Sequence, residues 1–132
     1  MAISDEQLIE AALAVRQRAY ARYSGFFVGA ALVDDRGQLH TGCNVENASY
    51  SQVSCAEAGA ISAMVAAGGK TIVTIAVAGG REDPSSCTPC GGCRQRINEF
   101  ADAATRVLAI DDGGDWRSFS VADLLPESFH LP

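Results

Sequence analysis

Lysine is nearly missing from this chain: Lys70 stands alone among 132 residues, and the arginines are scattered rather than grouped. Proteins that bind polynucleotides carry clustered Lys and Arg against the phosphates. The formal net charge of −6 and the thin supply of cations therefore argue against DNA or RNA, and for a small neutral ligand. Histidine is scarce too. His40 and His130 are isolated, and each reads as an ordinary surface or strand residue rather than a metal ligand. No stretch approaches the ~18 consecutive apolar residues of a membrane helix, so a helical span is excluded. The opening Met1-Ala2-Ile3-Ser4-Asp5-Glu6 has neither the basic start nor the apolar core of a secretory signal. The expectation is a cytoplasmic protein without membrane attachment. In that compartment thiols stay reduced, so the five cysteines point to metal binding rather than disulfides. Repeats, linkers and low-complexity tracts are also lacking, which leaves one domain over residues 1–132.

Three of the cysteines lie in two short stretches, Cys55-Ala56-Glu57 and Pro89-Cys90-Gly91-Gly92-Cys93. Zinc held by three protein ligands keeps a fourth position for water, which is the catalytic arrangement rather than the structural one. Glu57, two residues after Cys55, is near enough to move a proton of that water. A His or Cys, then x-Glu, then Pro-Cys-x-x-Cys is the pattern of zinc deaminases, where the Glu is acid/base and not a ligand. Two other readings stay open. The run Cys87-Thr88-Pro89-Cys90-Gly91-Gly92-Cys93 approaches an iron–sulfur spacing, although it lacks the further Cys-Pro and leaves Cys55-Ala56-Glu57 unexplained. Cys87 could also act as a fourth ligand and close the site. Otherwise Cys43 and Cys87 read as small packed or loop residues.

Ser4 with Gln7 forms a capping-box signature, and Leu8, Ile9, Ala12, Val15 and Ala19 recur at helical spacing, so a helix is expected over 4–21. Residues 26–33 read as a buried strand. Asp34-Asp35-Arg36-Gly37 supplies a turn, and 38–45 returns antiparallel. A helix follows over 55–67, closed by Gly68-Gly69, then a β-branched central strand over 71–78. The Gly/Pro/Ser/Asp-rich loop 79–89 leads to a helix over 91–100. Strands at 106–110 and 116–120 flank a turn at Asp111-Asp112-Gly113-Gly114, and a helical turn at 121–125 precedes Pro126. A hairpin followed by alternating strands and helices predicts an α/β fold, a three-layer α/β/α sandwich around a five-stranded mixed sheet. Both cysteine clusters then open helices, whose free N–H groups and partial positive charge stabilise thiolates. Three thiolates on Zn²⁺ carry a net charge of −1, which the two helix ends would partly offset.

The chain resembles the homotetrameric branch of the cytidine deaminase family over nearly its whole length. The resemblance runs through Tyr23-Ser24-Gly25-Phe26, Val28-Gly29-Ala30-Ala31, Thr41-Gly42-Cys43-Asn44-Val45-Glu46-Asn47-Ala48-Ser49-Tyr50, Cys55-Ala56-Glu57, Pro89-Cys90-Gly91-Gly92-Cys93-Arg94-Gln95 and Leu124-Leu125-Pro126 with Phe129. It implies hydrolytic deamination of cytidine and 2′-deoxycytidine in pyrimidine salvage, with one Zn²⁺ per subunit held by Cys55, Cys90 and Cys93 and with Glu57 as proton shuttle. It implies ribose contacts from Asn44 and Glu46, a base pocket lined by Phe26, and help from the Ala56 carbonyl in holding the exocyclic amine. It also implies a homotetramer in which Phe129 stacks on the base in a neighbouring subunit's site. The chemistry of the pair agrees, because an amide and a carboxylate two apart on a strand end face the same side and suit a vicinal diol. Taken alone, Asn44 and Glu46 read as turn-capping residues, and Phe26 and Phe129 as core. The chain departs from the family pattern at two places. Ala58 stands where an arginine commonly offsets thiolate charge, and Arg94 with the helix ends is expected to take over that role. Phe27 stands where a proline or a small polar residue is common, which bears on the pocket wall.

Overall fold

A computed structural model describes residues 2–132. Helix α1 spans Asp5–Arg16, opened by the expected capping box between Ser4 and Gln7. Strand β1 (Phe27–Asp34) and strand β2 (Leu39–Cys43) form the hairpin, and a short 3₁₀ turn follows at Tyr50–Gln52. Helix α2 (Ala56–Ala66), strand β3 (Ile72–Gly80) and helix α3 (Gly91–Glu99) come next, then β4 (Arg106–Ile110), β5 (Trp116–Ser120) and the four-residue helix α4 (Val121–Leu124). The sheet order is β2-β1-β3-β4-β5. Only the β3–β4 pair is parallel, with α3 as its crossover, so the sheet is mixed.

Strand alternation divides the core into two faces. Leu32, Ile75, Val77, Val107 and Ala109 point to one face and pack with Ala60, Ile61, Met64 and Ile97 of α2 and α3. Ala31, Ala76, Ala78 and Leu108 point to the other and meet Leu8 and Ala12 of α1. Alanines on that second face let α1 come close. At Gly29 the approach is closest: a Cβ there would abut the Ala12 carbonyl and the Arg16 amide.

The hairpin turn is built by Asp34, whose buried carboxylate accepts from the Arg36 and Gln38 amides at 2.9 and 3.0 Å and pairs with His40 at 2.8 Å. Gly37 closes the turn at φ 76°, a left-handed conformation that glycine adopts at little cost. Burial pushes the Asp34 carboxyl up, but the Gln38 N–H and the other contacts outweigh it, and the group lies below its ordinary range.

The helix expected over 4–21 stops five residues early. The Arg16 guanidinium turns back to bind the carbonyls of Phe27 (3.0 Å), Gly80 (2.8 Å) and Arg81 (3.0 Å), and Tyr20 exchanges backbone hydrogen bonds with Asn44 and Glu46. That extended pairing of Tyr20 with Val45 overrides the helical spacing of Ala19. The 3₁₀ turn had no counterpart in the sequence reading.

Gly42 of β2 faces the start of α2. A Cβ at Gly42 would strike the Ala56 carbonyl and the Ala60 amide and stand 2.8 Å from the Gly59 carbonyl carbon. These are backbone atoms of the first turn of the helix, so they yield only if the helix start moves. Gly42→Ala is expected to lower stability by about 1–3 kcal/mol, the usual cost of overpacking. It should also lower turnover, because the displaced turn carries Glu57. Thermal unfolding and kcat measured together check this; an unchanged Tm would show that α2 is free to slide.

Candidate active site

Cys55 and Cys90 occupy the N-cap positions of α2 and α3, and Cys93 lies in the first turn of α3. The fold thus brings together two helix starts that lie on the same face of the sheet. The three sulfurs all lie within 4.8 Å of one another. Three sulfurs about 2.3 Å from a tetrahedral zinc stand roughly 3.8 Å apart, so small side-chain rotations suffice to close the set around the ion. Cys87 lies outside this group of mutually close sulfurs; its side chain packs against Gly79 instead. That favours three protein ligands over the closed four-sulfur site.

The electrostatics of the donor set point the same way. Burial pushes the Cys55 thiol up, and the neighbouring Cys90 and Glu57 charges add to it. Cys93, fully buried, is raised strongly for the same reasons. Cys90 is also raised by burial, but the Cys93 backbone N–H and the facing thiols outweigh this and leave it below the usual range. Helix N-terminal stabilisation was expected at both clusters; here it prevails only at Cys90. At Cys55 and Cys93 burial dominates, and crowding of like charges adds to it. A divalent cation among the sulfurs inverts that balance, so the donors fit a thiophilic metal such as zinc.

Glu57, the second residue of α2, is 4% exposed. Burial holds its carboxyl above the ordinary range, while its own backbone N–H, the Cys93 thiol and the Arg96 charge pull the other way. It lines a pocket of about 420 Å³ together with Phe26, Asn44, Cys55, Ala56 and Cys90. That volume lies in the range of small-molecule sites. Val28, Val53 and Cys87 also line it. Sequence reasoning did not single out Val28 of β1 or Val53 for the pocket; an aliphatic side chain carries no chemical signature. Burial raises the Cys87 thiol to about 11, so it stays neutral and acts as wall.

Other expected residues are placed differently. Asn44 accepts from the Val28 amide and donates to the Phe26 carbonyl, both at 2.9 Å. Glu46 accepts from the Tyr23 and Ser24 amides at 2.9 and 3.1 Å and from the Ser24 hydroxyl. Both therefore secure the segment that carries Phe26, and Glu46 is not among the residues lining the pocket. The Ala56 carbonyl faces Gly42 rather than the pocket, because carbonyls in a helix point toward its C-terminus. Ala56 also carries a first-turn N–H, which has no helical acceptor. Phe129 is 68% exposed and lies beside Gln95, away from its own chain's pocket. Arg94, expected to offset thiolate charge, is hydrogen-bonded to other groups. Its guanidinium binds the Pro89 carbonyl (2.7 Å), the Leu124 carbonyl (2.8 Å) and the Thr88 hydroxyl (3.0 Å), and none of these is a sulfur. The cation that does reach a sulfur is Arg96, with Nη1 at 3.7 Å from Cys93 Sγ.

Two helix starts that deliver three thiols and a sequestered carboxylate to one opening define a metal-binding fold of the deaminase class. The family profile described as the cytidine and deoxycytidylate deaminase zinc-binding region matches residues 2–109, and the chain belongs to this family. It is 41% identical over 124 residues to a cytidine deaminase of Sporosarcina psychrophila, covering 94% of this chain and 90% of that one. A probable cytidine deaminase of Dictyostelium discoideum is 44% identical over 124 residues, with 94% and 82% coverage. Among solved structures, the cytidine deaminase of Burkholderia pseudomallei superposes with a TM-score of 0.85 at 44% identity, covering 96% of this chain and 99% of that one. The Mycobacterium tuberculosis cytidine deaminase gives 0.82 at 36% identity, with 97% and 99% coverage. The expected sheet architecture is thus that of solved cytidine deaminases.

Proposed function

We propose that this chain deaminates cytidine and 2′-deoxycytidine hydrolytically, giving uridine and 2′-deoxyuridine plus ammonia. The observation that carries this reading is the buried Glu57 carboxyl, set in a nucleoside-sized pocket beside three converging sulfurs. Cys55, Cys90 and Cys93 would hold one zinc ion, whose Lewis acidity lowers the pKa of water toward ~7. Glu57 accepts a proton from the attacking water and delivers it to ring N3. Once oxygen has bonded to C4, the same carboxyl takes the proton left on that oxygen and passes it to the departing nitrogen, so that the C4–N4 bond breaks as the C4 carbonyl forms. One water is consumed and one ammonia released. The site's low solvent exposure keeps the carboxyl from equilibrating freely with bulk water and strengthens its interactions.

Phe26 and the valines supply an apolar wall for the base, and the Ala56 N–H a donor for a ring acceptor. Asn44 and Glu46 suit the ribose hydroxyls. A carboxylate accepts about four hydrogen bonds and Glu46 has three in place, so one acceptor site remains. Asn44 retains one Nδ2 hydrogen and one Oδ1 lone pair. Cytidine is therefore expected to be turned over with kcat/KM at least about 10²-fold above free cytosine, the worth of one or two lost hydrogen bonds to charged or buried groups. Comparable values for the two would remove the ribose contacts from the reading.

We read the 132 residues as one catalytic domain working in a homotetramer. Phe129, Leu131 and Tyr50 are 68%, 78% and 80% exposed, large apolar groups that a neighbouring subunit would cover. Phe129 would then complete the pocket of an adjacent copy. Sedimentation giving a fully active monomer would overturn this. No helix is long and apolar enough to cross a membrane. A cytoplasmic role in pyrimidine salvage fits the proposed reaction.

A further inference from the structure

We infer that Arg96 is the charge-balancing residue of the metal centre, holding the negative excess of the thiolate set from the groove between α2 and α3. The inference rests on the proposed three-sulfur zinc site. Three sulfur anions and one divalent ion leave one negative charge, and the adjacent Glu57 carboxyl raises the demand for a cation. The guanidinium of Arg96 is within hydrogen-bonding distance of the most deeply buried of the three sulfurs.

Three features of the molecule single it out. Arg96 follows Cys93 by three residues on α3, so the two share one helix face. Gly92 leaves the space: a Cβ there would stand 3.2 Å from Arg96 Nη1. Among the described residues Arg96 makes no ion pair, although Glu99 lines the same groove, whereas Arg94 is fully engaged by Thr88, Pro89 and Leu124. The groove, about 390 Å³, is lined across from Arg96 by Ala58 and Ser62 of α2. Ala58 lies one turn after Cys55 and has no side chain to fill that space. An arginine grafted at Ala58 would enter the groove that Arg96 occupies.

Arg96 does not touch the reacting atoms in this scheme. It is a positioning residue, and zinc affinity rather than turnover reads it. Competition against a chromophoric zinc chelator, with metal content and circular dichroism checked for each protein, compares wild type with Arg96→Met, Arg96→Lys and the double variant Arg96→Met/Ala58→Arg. Arg96→Met keeps the exposed aliphatic stem and is expected to weaken zinc binding about tenfold, the lower end of what outer groups around metal ligands contribute. The guanidinium is largely solvated, which sets the lower end. Arg96→Lys should retain most of the affinity, and the double variant should recover it. Folded Arg96→Met protein that binds zinc as tightly as wild type would overturn the inference. So would a double variant no better than Arg96→Met. Wild type that takes up no zinc at all would instead overturn the metal site itself, and the inference with it.

Discussion

Glu57→Gln is expected to leave one zinc per chain and to reduce kcat by about 10³-fold, within the range that a positioned acid/base contributes. Glutamine keeps the shape of the side chain, so the pocket should keep its form around a residue that is 4% exposed. It still accepts and donates hydrogen bonds, but its amide cannot take a proton from water or return one to the leaving nitrogen. The carboxyl is also the one acidic side chain lining the pocket, so no neighbour can substitute. The measurement is kcat for cytidine alongside metal content by atomic emission. Near-normal turnover by zinc-loaded Glu57→Gln protein would refute the shuttle role.

Removal of the metal should have the largest effect of all. Dialysis against a strong chelator is expected to abolish activity, and stoichiometric zinc to restore it. Cys93→Ser makes the same point genetically. Cys93 has no exposed surface, its position in α3 is fixed, and a serine hydroxyl stays protonated at neutral pH and binds zinc poorly. The variant should therefore purify without metal and without activity. Its Tm should also fall, because a ligand present at about 1,000 times its Kd stabilises the folded state by roughly 4 kcal/mol. Cys87→Ser is the control: its sulfur lies outside the cluster, and zinc content should be unchanged. Zinc loss in Cys87→Ser would restore the closed four-sulfur site.

Much of this site could be read from the chain because its chemistry is local. A residue at an N-cap must precede a helix, and Cys55 and Cys90 each precede one; the turn residues and β-branched runs then fix the strands between them. What escaped reading was decided by partners far away in sequence. Helix α1 ends at Arg16 because carbonyls near residue 80 accept its guanidinium. Glu46 holds the Tyr23 and Ser24 amides of the loop before β1, and Asn44 the Val28 amide inside that strand. The contrast between Arg94 and Arg96 is of another kind. One residue along a helix turns the side chain by about 100°, away from Cys93, while three residues bring it back to the same face. The helical period accounts for Arg96, rather than Arg94, reaching the Cys93 sulfur.

Arg16 also ties together parts of the molecule that look unrelated. It belongs to the helix on the rear of the sheet, yet it grips the outgoing end of β3, where the chain departs for Cys87 and Cys90. It simultaneously clasps Phe27, next to the aromatic that walls the pocket. A lesion at the amino-terminal helix should therefore be felt at the front of the enzyme as heat-sensitive catalysis, well before the protein as a whole gives way.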